Sequence, residues 1–124
     1  MELDPQQLSQ FDQQLAEREA ELSRSVHDER EEFSAPGTHG WPEVKDSVED
    51  GEARMMAALD LTQLRRNEQA LGEVQQARQR IREGSYGFCE DCGEPIGIVR
   101  LRAVPTARYC LDHEAKREQT GQLR

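Results

Sequence analysis

Residues 84–113 read GSYGFCEDCGEPIGIVRLRAVPTARYCLDH and hold all three cysteines of the chain. Two residues separate Cys89 from Cys92, 17 residues follow, and two residues again separate Cys110 from His113. This spacing is typical of tetrahedral zinc knuckles, because both ligands of a tight turn can reach one ion. The stretch therefore predicts one structural Zn²⁺ held by three thiolates and one imidazole.

Alternatives to a closed zinc site stay open at this point. An odd cysteine count argues against a disulfide framework. In one alternative, neither residue of the second pair binds a metal: Cys110 is a small buried residue and His113 is an exposed helix residue. In another, three cysteines with an open fourth position form a catalytic or labile metal site. A redox role for Cys89-x-x-Cys92 would require a βαβ context, and the sequence offers none.

Size and composition exclude several protein classes. The chain has 124 residues, of which 35% are hydrophobic and 33% charged, with a mean hydropathy of -0.92. A thick layered core is therefore not expected. No apolar run approaches the ~18 residues of a membrane span. The start MELDPQQLSQ lacks the basic and apolar regions of a signal peptide, so a cytoplasmic protein without membrane contact is expected.

The charge distribution favours a protein partner over a nucleic acid. The net charge is -9, and residues 1–52 carry 15 acidic against 4 basic residues. Nucleic-acid affinity depends on Lys and Arg that neutralise phosphates, so an acidic half repels DNA and RNA. The later part of the chain is richer in arginine, which keeps direct DNA binding as a minor alternative. The arginines concerned are Arg78, Arg80, Arg82, Arg100, Arg102 and Arg108.

Two long helices are predicted before the cysteine-rich stretch. The first covers residues 5–33, with Asp4 as N-cap and apolar residues at Leu8, Phe11, Leu15 and Leu22. The second covers residues 52–83 and ends before a glycine. Its apolar seam consists of Leu64, Leu71, Val74 and Ile81. Neither helix buries its seam alone, so an antiparallel hairpin is expected, and a helix of about 30 residues rises ~45 Å.

The remaining segments complete a mostly α fold. The run SAPGTHGWP over residues 34–42 breaks the first helix, and the hairpin tip is placed at about 34–51. Two domains are predicted: the hairpin over 1–83, and a zinc finger with a C-terminal helix over 84–124. Within the finger, IGIVRL is β-prone, and residues 111–120 predict a short polar helix.

The cysteine-rich stretch resembles the zinc finger of the DksA/TraR family of bacterial transcription regulators. The matching features are Tyr86-Gly87, Cys89, Cys92-Gly93, Ile96-Gly97-Ile98, Arg100-Leu101, Pro105-Thr106-Ala107, Cys110 and Asp112. Most members have cysteine where this chain has His113. The resemblance implies a zinc domain that carries a coiled-coil hairpin. It also implies that the hairpin enters the secondary channel of RNA polymerase and acts there through an acidic tip, without covalent chemistry.

The resemblance also assigns residues of the hairpin. The family's tip motif is Asp-x-x-Asp-x-Ala, and the family spacing aligns it with Asp46, Glu49 and Gly51. A second register uses Asp46 and Asp50. The three acidic residues are thus candidate polymerase contacts, and the alternative is that they only solvate a turn and cap the second helix. Arg66 matches a family arginine that supports polymerase binding, against the alternative of an ordinary exposed charge.

The family also binds the alarmone ppGpp together with polymerase through basic residues. The corresponding positions here are Glu73, Val104 and Glu114, and none of them supplies the Arg or Lys donors that phosphate needs. The leading hypothesis is therefore a monomeric, ppGpp-independent regulator that binds RNA polymerase. The alternative is a zinc-stabilised interaction adaptor with the same fold and another partner. An enzyme is least expected, because no nucleophile–base pair can be assembled.

Overall fold

A computed structural model describes residues 3–34 and 47–120, with side chains except at positions 33, 34, 47–50, 53 and 120. Four helices follow one another: α1 (Pro5–Ser34), α2 (Ser47–Glu83), α3 (Ile98–Ala103) and α4 (Leu111–Thr120). Within this described part, the pairing between extended residues is a single isolated bridge from Phe88 to Pro95. The mostly α fold class is confirmed. No helix there is long and apolar enough to cross a membrane.

The start of α1 follows the sequence prediction. The Gln7 amide donates to Asp4 Oδ1 at 2.7 Å, and the Asp4 amide donates to Gln7 Oε1 at 3.0 Å. These reciprocal bonds satisfy amides that a helix start otherwise leaves without partners. Pro5 stands at the first helical position, where its missing N–H costs nothing.

The start of α2 and the β-prone stretch differ from prediction. Helix α2 begins at Ser47, five residues before the expected start, so Asp50 lies inside the helix rather than at its N-cap. Acidic residue types are favoured in a first helical turn by the helix dipole. The stretch IGIVRL contributes most of α3, because burial of Leu101 to 1% exposure outweighs its β propensity.

The structure contains two compact units. The first combines residues 1–17 with 73–124, and the second covers residues 18–72. The base of each long helix thus belongs to the same unit as the finger. The domain boundary predicted between residues 83 and 84 stays a prediction.

In the first unit the two long helices run antiparallel. Leu8 and Ile81 line one small cavity, and Arg78 Nε donates to Asp12 Oδ1 at 3.0 Å. Residue numbers therefore increase along α1 in the direction in which they decrease along α2. The buried apolar residues of this unit are Phe11, Leu15, Val74, Ala77, Tyr86, Cys89, Leu101, Ala107 and Tyr109. They join the helix bases to the finger in one core.

In the second unit α1 and α2 pack through the predicted seams. Leu22, Val26 and Leu64 are each at most 8% exposed. Polar bonds flank this apolar contact: Asn67 Nδ2 donates to Glu29 Oε1 at 2.7 Å, and the Arg30 guanidinium pairs with Glu68. The apolar spacing of the sequence therefore does mark the buried faces of both helices.

Candidate metal centre

The first ligand pair lies in a tight turn. The Gly93 amide donates to the Cys89 carbonyl at 2.9 Å, and the Cys89 amide donates to the Glu94 carbonyl at 2.8 Å. Gly93 has a φ of 75°, a left-handed conformation that glycine adopts without steric cost. The turn brings the side chains of Cys89 and Cys92 to one side, with Cys89 buried and Cys92 exposed.

The second ligand pair lies at the start of α4. The Glu114 amide donates to the Cys110 carbonyl at 2.9 Å, which continues the helical pattern back to Cys110. Residues three apart in a helix share a face, so Cys110 and His113 point the same way. The Cys110 Sγ and His113 Nδ1 atoms are 3.1 Å apart.

The four predicted ligands meet at one point. One ligand atom from each of Cys89, Cys92, Cys110 and His113 lies within 4.8 Å of the other three, and the Cys92 and Cys110 sulfurs are 4.0 Å apart. Two thiolates on a tetrahedral zinc with Zn–S bonds of about 2.3 Å are about 3.8 Å apart. The donor set and its spacing fit one Zn²⁺, which would close all four positions and supply structure rather than reactivity.

Backbone amides favour the thiolate at Cys89. Burial raises the pKa of Cys89, but backbone hydrogen bonds from Cys110, Cys92 and Asp91 outweigh this effect and lower the pKa below its usual value. The thiolate is the form that binds zinc. The amides therefore assist metal binding through the same turn that positions the sulfur.

Sequence reasoning did not assign the partners of two ion pairs around the ligands. Arg108 Nε lies 2.7 Å from Glu90 Oε2, and both nitrogens of an Arg117 fork contact the Asp91 carboxylate at 2.9 and 2.7 Å. The hydrogen bonds from Arg117 lower the pKa of Asp91, and those to Asp91 raise the pKa of Arg117. The sequence does show two acidic residues between Cys89 and Cys92 and an arginine on either side of the second ligand pair, and this pattern could have suggested the ion pairs.

Arg80 and Tyr86 were also missed, although both contact the loop before the second ligand pair. Arg80 is 9% exposed, and its Nη2 donates to the Thr106 carbonyl at 3.3 Å. The Tyr86 hydroxyl donates to the Pro105 carbonyl at 2.7 Å. Burial lowers the pKa of Arg80 and raises that of Tyr86. In the sequence Arg80 lies four residues before Gly84 near the helix end, a position that is equally typical of a solvent-exposed arginine.

The predicted polymerase contacts are only partly described. Asp46 lies outside the described residues, and Glu49 and Asp50 lie in the first turn of α2, where the backbone alone is described. Arg66 is exposed on α2 in the second unit. Their roles stay predictions.

The three positions that correspond to the family's ppGpp residues do meet in space. Glu73, Val104 and Glu114 line one shallow depression of the first unit together with Arg100 and Arg108. Arg100 Nε donates to the Tyr109 carbonyl at 3.2 Å, and Arg108 pairs with Glu90. Both arginines are thus bound within the protein, which leaves two glutamates as the uncommitted charges of this lining.

Most of the arginines that kept direct DNA binding as a minor alternative form hydrogen bonds or ion pairs within the protein. Arg78 pairs with Asp12 at 3.0 Å, and the Arg82 guanidinium donates to Gln79 Oε1 at 2.8 Å. With Arg80, Arg100 and Arg108 bonded as described above, five of the six have protein partners. The pairs of Arg78 with Asp12 and of Arg108 with Glu90 offset two of these positive charges, whereas Arg80, Arg82 and Arg100 bind neutral acceptors and keep theirs.

The fold and the ligand set define a class: a helical protein with a small structural zinc finger. Residues 84–119 match the family model described as the prokaryotic dksA/traR C4-type zinc finger. Together with the curated relatives and the solved structure described below, this match supports a DksA-like member of the DksA/TraR family. The chain departs from the C4 description at His113, which takes the fourth ligand position.

Curated relatives carry the name RNA polymerase-binding transcription factor DksA. The Caulobacter vibrioides protein is 40% identical over 62 residues, which are 50% of this chain and 44% of the relative. The Escherichia coli K12 protein is 30% identical over 86 residues, which are 67% of this chain and 57% of the relative. The chain thus spans about half the length of the curated relatives it matches.

Solved structures extend the likeness to nearly the whole chain. Transcription factor DksA2 from Pseudomonas aeruginosa has a TM-score of 0.77 and 26% identity, over 96% of this chain and 88% of that one. An RNA polymerase binding protein and transcriptional regulator from Chlamydia trachomatis has a TM-score of 0.58 at 22% identity, over 99% of both chains. The second likeness supports the fold.

Proposed function

We propose that this chain is a transcription regulator that binds RNA polymerase by inserting its helical hairpin into the secondary channel. The observation that carries the proposal is the structural likeness to transcription factor DksA2, which extends over 96% of the chain and includes the long helices. The names of the curated relatives support the same partner. The role is that of a monomeric cytoplasmic protein that catalyses no covalent chemistry.

The proposed active part is the acidic segment between the helices. Asp46, Glu49 and Asp50 stand where the family has its acidic tip motif, with Glu in place of the second Asp. Carboxylates there would act through charge near the catalytic centre of the polymerase. Arg66, which is exposed on α2, is the proposed docking residue.

Regulation by ppGpp is not part of the proposed function. The depression lined by Glu73, Val104 and Glu114 offers two carboxylates to a polyphosphate, and its two arginines are bound to Glu90 and to the Tyr109 carbonyl. Phosphate recognition uses free Arg or Lys donors. We expect ppGpp to leave promoter inhibition unchanged. A ppGpp-dependent gain that disappears with polymerase lacking the composite site would contradict this part.

Tip and docking variants test the proposal. Asp46→Asn with Glu49→Gln is expected to abolish the effect on transcription in vitro while polymerase binding persists. Arg66→Ala is expected to weaken binding itself, with the neighbouring exposed Arg65→Ala as matched control. If the tip variant regulates like the unmodified protein, the proposed tip mechanism is wrong.

Failure to bind RNA polymerase would favour the alternative that the chain is an interaction adaptor with another protein partner. Folded, zinc-loaded protein that binds neither core polymerase nor holoenzyme would indicate that the fold serves another protein. A strongly salt-dependent mobility shift with duplex DNA would instead support direct DNA binding.

A further inference from the structure

The two ligand knuckles are joined by side chains as well as by the metal ligands. Glu90 and Asp91 stand between the cysteines of the first knuckle, and Arg108 and Arg117 flank the second. Arg108 pairs with Glu90 at 2.7 Å, and Arg117 forms a two-pronged pair with Asp91 at 2.7 and 2.9 Å. Each pair therefore connects one knuckle to the other.

Tyr109 fixes the two arginines in place. Its ring lies 4.1 Å from the Arg117 Cζ and 5.2 Å from the Arg108 Cζ, measured to the ring centroid. The Tyr109 side chain is 6% exposed and precedes the ligand Cys110. Contact of a guanidinium with an aromatic face adds attraction and limits the freedom of the arginine. The arginines are therefore held close to the geometry that their carboxylate partners require.

The extent of burial distinguishes the Arg117–Asp91 pair from ordinary surface pairs, whereas the Arg108 and Glu90 side chains are 45% and 36% exposed. The Arg117 and Asp91 side chains are 28% and 29% exposed, against 57% and 59% for Arg18 and Glu21 on α1. Exposed pairs with free side chains contribute little, whereas bidentate pairs of ordered side chains contribute more. The backbone adds a third link, because the Glu90 amide donates to the Arg108 carbonyl at 2.9 Å.

We propose that Arg108–Glu90 and Arg117–Asp91 form a brace that keeps the two knuckles together and slows the release of zinc. Both arginines bind carboxylates that adjoin the ligands, and they act as positioning residues. Zinc can leave only after one knuckle moves away from the other, and that movement breaks both pairs. The brace thus adds to the retention of the metal, and it does not replace the metal as the support of the finger.

Zinc release from the full-length, zinc-loaded protein tests the brace. The variants are Arg117→Gln, Arg108→Gln and the double variant, and the matched control is Arg18→Gln, which removes an exposed pair outside the finger. Release into excess chromogenic chelator is expected to be about threefold to tenfold faster in the double variant and unchanged in the control. Release rates of the double variant and the unmodified protein that agree within about twofold would overturn the proposal.

Salt dependence supplies a readout that loss of packing alone would not change. Salt screens partly exposed charges, so high-salt buffer is expected to accelerate release from the unmodified protein and from Arg18→Gln. The double variant is expected to show little salt dependence. Salt-independent release from the unmodified protein overturns the proposal even if a variant fails to fold.

A double-mutant comparison tests the pairing itself. Once Asp91→Asn is made, the further change Arg117→Gln is expected to add nothing to the release rate. Additive acceleration would show that Arg117 acts other than through Asp91.

The Co²⁺-substituted proteins are expected to share one absorption spectrum, because the ligand set does not change. An altered spectrum would mean that the arginines change the ligands rather than the release rate, and would also contradict the brace.

Discussion

His113 is the residue at which this chain departs from the C4-type zinc finger that its residues 84–119 match. Its Nδ1 lies 3.1 Å from the Cys110 sulfur, inside the cluster of ligand atoms. A neutral imidazole binds zinc well and carries no negative charge, so the site has three thiolate charges instead of four.

His113→Ala tests its role as a ligand. Removal of a ligand is expected to weaken zinc affinity by more than the 10–100-fold typical of outer-shell changes, and to alter the Co²⁺ absorption spectrum. His113→Cys should keep zinc bound and move the spectrum toward that of a four-thiolate site. Unchanged affinity and spectrum in His113→Ala would mean that the fourth position is open or filled by another group.

Tyr86 links the end of α2 to the loop before Cys110. Its hydroxyl donates to the Pro105 carbonyl at 2.7 Å, and its ring packs against Phe11 at a centroid distance of 5.7 Å. Tyr86→Phe keeps the ring and leaves the carbonyl without its donor. The free energy of unfolding is expected to fall by about 1–2 kcal/mol in chemical denaturation at neutral pH.

The same residue predicts a pH dependence. Burial raises the pKa of Tyr86 above its ordinary value near 10, so the folded state favours the neutral phenol. Its contribution to stability is complete below about pH 10 and is lost as the pH rises toward the folded pKa, because only the unfolded chain ionises there. Denaturation at about pH 8 and pH 10.5 should show a smaller loss in Tyr86→Phe than in the unmodified protein. Equal losses in the two proteins would contradict the assignment.

At this scale, sequence reasoning named the four residues that the structure brings together, but it did not assign the partners of the arginines around them. The spacing predicts that Cys89 lies close to Cys92 and that Cys110 lies close to His113, because the two members of each pair lie within one turn. The partners of Arg108 and Arg117 lie 18 and 26 positions away and depend on the folded path of the finger. No local pattern distinguishes them from exposed charges.

The two long helices depend on apolar seams that were visible as heptad spacing. Leu22 is 3% exposed in the second unit, whereas Leu59 on α2 is 62% exposed. Leu22→Ala is expected to lower the free energy of unfolding by about 2–5 kcal/mol, and Leu59→Ala by far less. Helical circular dichroism during denaturation measures both. Equal effects of the two substitutions would contradict the assigned packing.

The helices with strong periodicity were predictable, and so was the short polar helix α4 over residues 111–120, whereas α3 was not. Both ends of α1 and the C-terminal end of α2 lie within one residue of the bounds predicted from the sequence. Helix α3 was missed because the β-branched Ile98 and Val99 made its start read as a strand, whereas its formation depends on the burial of Leu101. The start of α2 was missed because Asp50 was interpreted as the N-cap, whereas the helix begins at Ser47 and includes Asp50 and Gly51.

The whole molecule is expected to respond unevenly to loss of zinc. Tyr86, Leu101 and Tyr109 are the large apolar residues of 84–110 that are buried, so the metal is expected to supply much of the support of the finger. Structural zinc contributes on the order of 10–16 kcal/mol of apparent binding energy in small fingers. Removal of zinc by a chelator should abolish near-UV circular dichroism from Tyr109 and Tyr86 and open the finger to proteolysis, while most helical signal persists. Unchanged spectra and proteolysis after verified metal removal would contradict a structural zinc.

The central claim is that the hairpin binds RNA polymerase in its secondary channel. Its most direct test is binding of the zinc-loaded chain to core polymerase in competition with a known secondary-channel factor. The account predicts mutually exclusive binding, with the competitor displaced in proportion to the concentration of this chain. Simultaneous binding of both, or no binding by folded, zinc-loaded protein, would contradict it.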